Sequence, residues 1–279
     1  MEGRLNRSLA SSLEIVNLVD YHTHTYLCGH AVGKPVDYVE AAISANLVEI
    51  GVSDHLSLSI PEDSVPLDEL HLYVDMVEEA KRLYEDRIRV RLGLEVEYSC
   101  DKIESIANIL ESIDDLDYTL LSIHKIGEWV INSSKSKDRY MKIDLYKLYE
   151  EYFDLVCEAA SSKMFQIIAH IDLPKIFGFK PCEDMKPLYE DTARRLAKAG
   201  VCVEVNTSGL RKPVAEIYPA REFLEVLRRY NVPITLGSDA HKPEDVAYHF
   251  EDAIKEISKA GYRCISVFDK ERRMEIPIF

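Results

Sequence analysis

The stretch DYHTHTYLCGH, residues 20–30, places His22, His24 and His30 within nine positions of a 279-residue chain that holds nine histidines in all. Further along come SDH with Asp54 and His55, GLEVEY with Glu95 and Glu97, and SIHK with His124. AHID with His170 and Asp172 and GSDAH with Asp239 and His241 complete the set. Imidazole and carboxylate together suit zinc, iron, manganese and related divalent ions, and a carboxylate can bridge two of them. Residues two apart on a strand point to the same side, so His22 and His24 can share one ion, and Asp239 and His241 have the same spacing. Glu95 is the natural bridge. Glu97 shares its face if the strand continues and reads more as an orienting partner than as a ligand, as do Asp54 and Asp172. Cys28 reads as a small buried thiol.

These residues follow short β-branched runs. Strands are predicted at Leu18–Tyr21, Val48–Ser53, Val90–Val96, Tyr118–Ile123, Gln166–Ala169, Val201–Val205 and Pro233–Gly237, with an eighth candidate at Cys264–Val267. Amphipathic stretches such as PVDYVEAAISAN and YKLYEEYFDLVCEAASS alternate with them, and Pro35, Pro219, Pro243, Gly200 and Gly261 mark helix ends. Seven or eight β/α units predict a parallel barrel with its helices outside. In such a barrel the chemistry sits at the carboxyl ends of the strands, which is where seven of the nine histidines fall. His71 and His249 lie instead within predicted helices and are expected on the outer surface.

Composition bounds the rest. With 47% hydrophobic and 30% charged residues the chain reads as one globular domain. The six cysteines form no CxxC pair, so a disulfide framework is not suggested. A net charge of −15 opposes a nucleic-acid partner. The first residues lack the apolar run of a signal peptide and no segment approaches a membrane span, so a cytoplasmic protein without a membrane partner is expected. A homo-oligomer stays open.

In order and spacing, HTHTYLCGHA, SDH, GLEVEY, SIH, AHID, NTSGLRKP and GSDAH resemble the polymerase-and-histidinol-phosphatase (PHP) family, in its histidinol-phosphatase branch. The resemblance spans about nine tenths of the chain. It implies a single-domain α/β fold, a distorted TIM-like (β/α)7 barrel over residues 18–279, with residues 1–17 as an extension adding an outer helix or covering the barrel bottom. It also implies a trinuclear metal centre. Carried over by position, His22, His24, Glu95 and Asp239 would hold the first ion, Glu95, His124 and His170 the second, and His30, His55 and His241 the third.

The activity implied is hydrolysis of L-histidinol phosphate, a small phosphorylated substrate, by attack of a water activated by the ions. Asp239 or His241 could protonate the leaving alkoxide. Arg211 in NTSGLRKP offers a planar fork for a phosphate, with pairing to Glu216 as the alternative, and Asn206 and Ser208 could add hydrogen bonds. Lys125 could reach a phosphate or pack outward with a solvated tip. Three competing readings are a PHP phosphoesterase acting on nucleotides, an amidohydrolase and a non-catalytic metal-binding domain.

Overall fold

A computed structural model describes residues 17–279; the expected N-terminal extension therefore lies, Asn17 apart, outside the described residues. Seven parallel strands follow one another in sheet order: β1 (Val19–Asp20), β2 (Glu49–Val52), β3 (Arg89–Glu97), β4 (Tyr118–Ser122), β5 (Ile167–Ile168), β6 (Cys202–Asn206) and β7 (Ile234–Gly237). Between β7 and β1 the seam is drawn together by Tyr21 N donating to Leu236 O (3.0 Å) and His24 N donating to Ala240 O (2.9 Å). The result is a nearly closed barrel of seven strands.

Among the described residues seven helices form the outer ring: α1 (Pro35–Ser44), α2 (Leu70–Tyr84), α3 (Ile103–Glu111), α4 (Leu145–Ser161), α5 (Lys186–Ala199), α6 (Arg221–Arg229) and α7 (Phe250–Lys259). Local signals set their ends. Pro35 opens α1, the Asp144 side chain accepts from Lys147 N at the start of α4, and Gly200 takes the left-handed conformation (φ 81°) after α5. Each helix turns an apolar stripe inward, as with Phe223, Leu224 and Leu227 of α6.

The candidate eighth strand is not part of the barrel. β8 (Cys264–Asp269) pairs antiparallel with β9 (Arg272–Pro277) through a two-residue turn in which Lys270 and Glu271 both have positive φ, the conformation that matches the twist of a tight hairpin. This ribbon packs beside the barrel, with Thr235 Oγ1 donating to Ser266 O (2.9 Å) and Phe268 N to Tyr21 Oη (2.9 Å).

Tyr118 makes the floor under the strand ends. Its hydroxyl donates to Tyr21 O (2.7 Å), and its ring lies so close to Gly51 and Gly93 that a Cβ on either would overlap it. Below that floor the buried Glu49 accepts from Tyr21, Arg89 (2.7 Å) and Arg91 (3.0 Å). The barrel bottom is thus plugged by rings and ion pairs, and the polar residues at the other end stand on a packed base.

Candidate metal centre

At the carboxyl ends of the strands the histidines converge on one carboxylate. Glu95, 1% exposed near the end of β3, turns its Oε2 to His55 Nδ1 (2.8 Å), His22 Nε2 (3.1 Å) and His24 Nε2 (3.6 Å). Its Oε1 faces His170 Nε2 (2.9 Å) and His124 Nε2 (3.7 Å). Asp239, after β7, brings Oδ1 to within 3.3 Å of His24 Nε2 and 3.8 Å of His22 Nε2. His241 stacks on His24 (ring centres 4.3 Å apart), and its Nε2 stands 3.1 Å from that of His30. All nine expected ligand residues therefore meet in one region. Among the described residues four donor groups fall close enough to share an ion each: His22, His24 and Glu95; Glu95, His124 and His170; His24, His55 and His241; and, behind His24, Cys28 and Asp54 with His24 itself. The third differs from expectation in that His24 joins His55 and His241, with His30 reaching them from the rim.

Outer partners fix the rings. His22 Nδ1 is bound by Glu204 Oε1 (2.7 Å), and His124 Nδ1 by Glu97 Oε2 (2.8 Å). Since a carboxylate can only accept, both rings carry a proton on Nδ1 and turn Nε2 inward, the atom that would offer its lone pair to an ion. Asp54 lies behind His24, 3.5 Å from Nδ1, and accepts from Thr25 and His55 N. Inside this frame His22 Nε2, both nitrogens of His24, His170 Nδ1 and Glu95 Oε2 are buried without a hydrogen-bond partner. Such an orphaned group costs about 1–3 kcal/mol, and a cation among them would satisfy several at once. The donor set and its orphaned atoms fit divalent metal ions.

Electrostatics agree. Burial disfavours charge on His22, yet Glu204, Glu95 and Asp239 hold its pKa well above the ordinary histidine value. His124 is likewise disfavoured by burial but raised by Glu97 to about 9. Burial and the neighbouring His24 push His55 down to about 4, and the same two effects lower His241. Burial opposes ionisation of Glu95 and Asp239, but the surrounding imidazoles, His22 foremost, keep both carboxyls well below the usual range. The carboxylates are thus ionised and draw positive charge into a water-poor site. Burial raises Cys28 to about 12, and its Sγ donates to Thr25 O (3.2 Å).

Two pocket residues hold strained backbone. His170 (φ 24°) and Asp239 (φ 53°) are non-glycine residues at positive φ, a conformation costing roughly 1–3 kcal/mol where the surroundings must enforce it. Glu204 Oε2 accepts from His170 N (2.9 Å) and so pins the first. Arg211 pins the second: its Nη2 donates to Ser238 O (2.7 Å) and Asp239 O (3.0 Å), while its guanidinium lies over Tyr248 and 3.6 Å from Asp245.

Above the cluster opens a cleft of about 640 Å³, lined among others by Glu62, Asp63, Lys135, Ser208, Lys212 and Tyr218. The expected substrate-binding residues divide. Ser208 lines the cleft. Arg211 stands behind the Asp239 turn, pairs with Asp245 in place of Glu216, and leaves the cleft to its neighbour Lys212. Asn206 is buried, donating to Glu204 (2.9 Å) and accepting from Ser208 N (2.8 Å). Lys125 lines a separate cleft and pairs with Glu128 (3.2 Å), the outward alternative. Asp172 orients no histidine; it accepts from Lys175 (2.9 Å) and Ala220 N (2.7 Å). His71 is exposed on α2, whereas His249 sits just ahead of α7 at φ 53°, because Pro243–Asp245 forms a separate 3-10 turn.

Glu204 was not singled out from the sequence. The signal was a lone carboxylate inside the apolar run VCVEVN, where a buried acid needs a partner.

A family model for the PHP domain matches residues 20–208, and the chain belongs to that family. A probable histidinol-phosphatase of Deinococcus radiodurans is 36% identical, over 94% of this chain and 100% of the relative. The histidinol-phosphatase of Bacillus subtilis is 26% identical, over 83% of this chain and 96% of its own. The fold matches a crystal structure of histidinol phosphate phosphatase from Lactococcus lactis, complexed with zinc, L-histidinol and phosphate. That match has a TM-score of 0.80 at 21% identity and covers 92% of this chain and 99% of that one.

Proposed function

We infer that this protein is a metal-dependent phosphomonoesterase that hydrolyses L-histidinol phosphate to L-histidinol and phosphate. The observation that carries the reading is the meeting of seven histidines, Glu95 and Asp239 at the base of one cleft, with buried ring nitrogens that no protein group satisfies. The Deinococcus radiodurans relative, aligned along its whole length, supports histidinol phosphate as the substrate.

His22, His24, Glu95 and Asp239 would hold one ion, Glu95, His124 and His170 a second, and His30, His55 and His241 a third, as zinc, iron or manganese. When bound, such ions activate water and neutralise phosphoryl charge. The chain's own residues do the rest. Glu95 presents one oxygen to each of two donor groups and so fixes their separation. Glu204 and Glu97 hold the His22 and His124 rings with Nε2 turned inward. Arg211 keeps the Asp239 turn closed through Nη2, and its Nη1 is left without a protein partner.

The rim carries both signs. Lys135 and Lys212 offer charge to a phosphate, and Glu62 and Asp63 to an ammonium, which suits a phosphate ester that is also an amine. Turnover of histidinol phosphate beside nucleotides and simple alkyl phosphates tests the reading: strong preference for histidinol phosphate supports it, and preference for nucleotides replaces it with another phosphoesterase of the family.

A further inference from the structure

Tyr218 lies outside the expected site set, yet it lines the cleft, 1% exposed, with its ring 6.3 Å from that of His170. Its hydroxyl has no hydrogen-bond partner within the protein. A buried tyrosine hydroxyl ordinarily finds one, so its isolation calls for an explanation.

Poor placement does not supply it, because the backbone around Tyr218 is held at four points. Tyr218 N donates to Asn206 O (2.8 Å), and Asn206 N donates back to Tyr218 O (2.7 Å). On one side Ile217 O accepts from the buried Lys175 Nζ (2.7 Å), and on the other Ala220 N donates to Asp172 Oδ2 (2.7 Å). The ring packs on Gly209, where any side chain would strike both it and the Glu216 carbonyl. Buried acid, buried lysine and glycine thus hold a phenol in one position and leave its oxygen free. Lys175, 5.1 Å from the ring centre, is committed to Asp172 and Ile217 and offers nothing to a ligand.

We propose that the Tyr218 hydroxyl donates a hydrogen bond to a phosphoryl oxygen of the substrate. At neutral pH a phenol is a neutral donor, since its ordinary pKa is about 10. An ammonium cannot accept its proton and a neutral imidazole offers one acceptor nitrogen, whereas a phosphate carries several charged acceptors, so this donor matches the phosphate half of the molecule best. The proposal rests on the reading of the cleft as a phosphomonoesterase site and not on histidinol as the alcohol.

Tyr218→Phe removes only the oxygen and keeps the ring and all four backbone contacts. In the zinc-loaded full chain, calorimetric titration with inorganic phosphate should show affinity weakened about 10- to 100-fold, the range of a hydrogen bond to a charged acceptor. Zinc content should be unchanged, and kcat/KM for histidinol phosphate and p-nitrophenyl phosphate should fall together. Wild-type phosphate affinity in a variant that keeps its zinc overturns the proposal.

Should the variant lose zinc, the wild-type protein labelled at tyrosine Cζ decides. Saturation with phosphate should move one carbon resonance among the 16 tyrosines, and no movement overturns the proposal. Hydrolysis of p-nitrophenyl phosphate without histidinol phosphate would sink the histidinol reading and leave the phosphate titration as the test of Tyr218. A zinc-loaded wild type that binds no phosphate removes both.

Discussion

His30 Nε2 and His241 Nε2 face each other across 3.1 Å at the cleft rim, and the other nitrogen of each ring lies 3.1 Å from a backbone carbonyl, Cys28 O for His30 and Asp239 O for His241. A carbonyl can only accept, so both rings carry their proton on Nδ1 and the facing nitrogens both present lone pairs. Two lone pairs at that distance repel unless a positive charge lies between them. A proton can bridge one pair, but a divalent ion can also take in His55, whose ring centre lies 5.1 Å from that of His30. His30→Ala should therefore lower the metal content by one ion per chain and leave the ions nearest Glu95 in place, read by elemental analysis. Unchanged stoichiometry would place His30 outside the centre.

Glu95→Gln should keep the barrel folded, since the amide fits the same volume, but lower turnover by several orders of magnitude and reduce metal occupancy. The carboxylate serves two donor groups at once, so its loss disturbs both. Full activity with unchanged metal content would remove it from the site.

Glu204→Gln tests the partner that the motifs did not reveal. It should weaken metal affinity about 10- to 100-fold, the usual effect of losing the acceptor behind a ligating histidine. Competition with a chelator measures this. An unaltered affinity would mean that the His22 ring is set by packing alone.

Arg211→Ala should loosen the left-handed Asp239 turn. Hydrogen bonds from a charged donor are worth about 1.5–3 kcal/mol each, enough to offset a strain of similar size, so metal occupancy and thermal stability should both fall. Affinity for inorganic phosphate, per occupied site, should not. Selective loss of phosphate binding would restore Arg211 to the fork role that the sequence suggested.

How much of this was legible in the sequence followed from how local each determinant is. His22, His24, His55, His124, His170 and His241 each lie within a few residues of a strand end, so alternating apolar runs were enough to place them on one rim. Glu97 was legible as an orienting group because β3 runs on through it. Glu204 acts on residues 182 positions away in His22 and 34 away in His170, and nothing in its neighbourhood names them. Arg211 reads as a phosphate fork from its loop, but its partners are carbonyls 27 and 28 residues on, brought close only by the seam of the barrel. The Cys264 strand had the composition of a barrel strand, and only the turn at Lys270 and Glu271 diverted it into a ribbon.

Metal uptake should depend on pH in a defined sense. Without ions, His124 holds its proton up to about pH 9, and His22 and His24 are also raised above the ordinary histidine value. A ligand must give its lone pair to the metal, so loading releases these protons, and below their pKa values apparent affinity should rise by about tenfold per pH unit for each proton displaced. Titration with zinc at pH 6 and pH 8 measures it. Equal affinities would show that no proton is displaced from these histidines.

The central claim is tested most directly by phosphate release from L-histidinol phosphate, measured on protein stripped by a chelator and then reloaded with zinc or manganese. The stripped protein should be inactive, and reloading should restore turnover, with histidinol phosphate preferred over nucleotides and simple alkyl phosphates. Turnover that survives complete removal of metal, or a fully reloaded protein that leaves histidinol phosphate intact, would contradict the account.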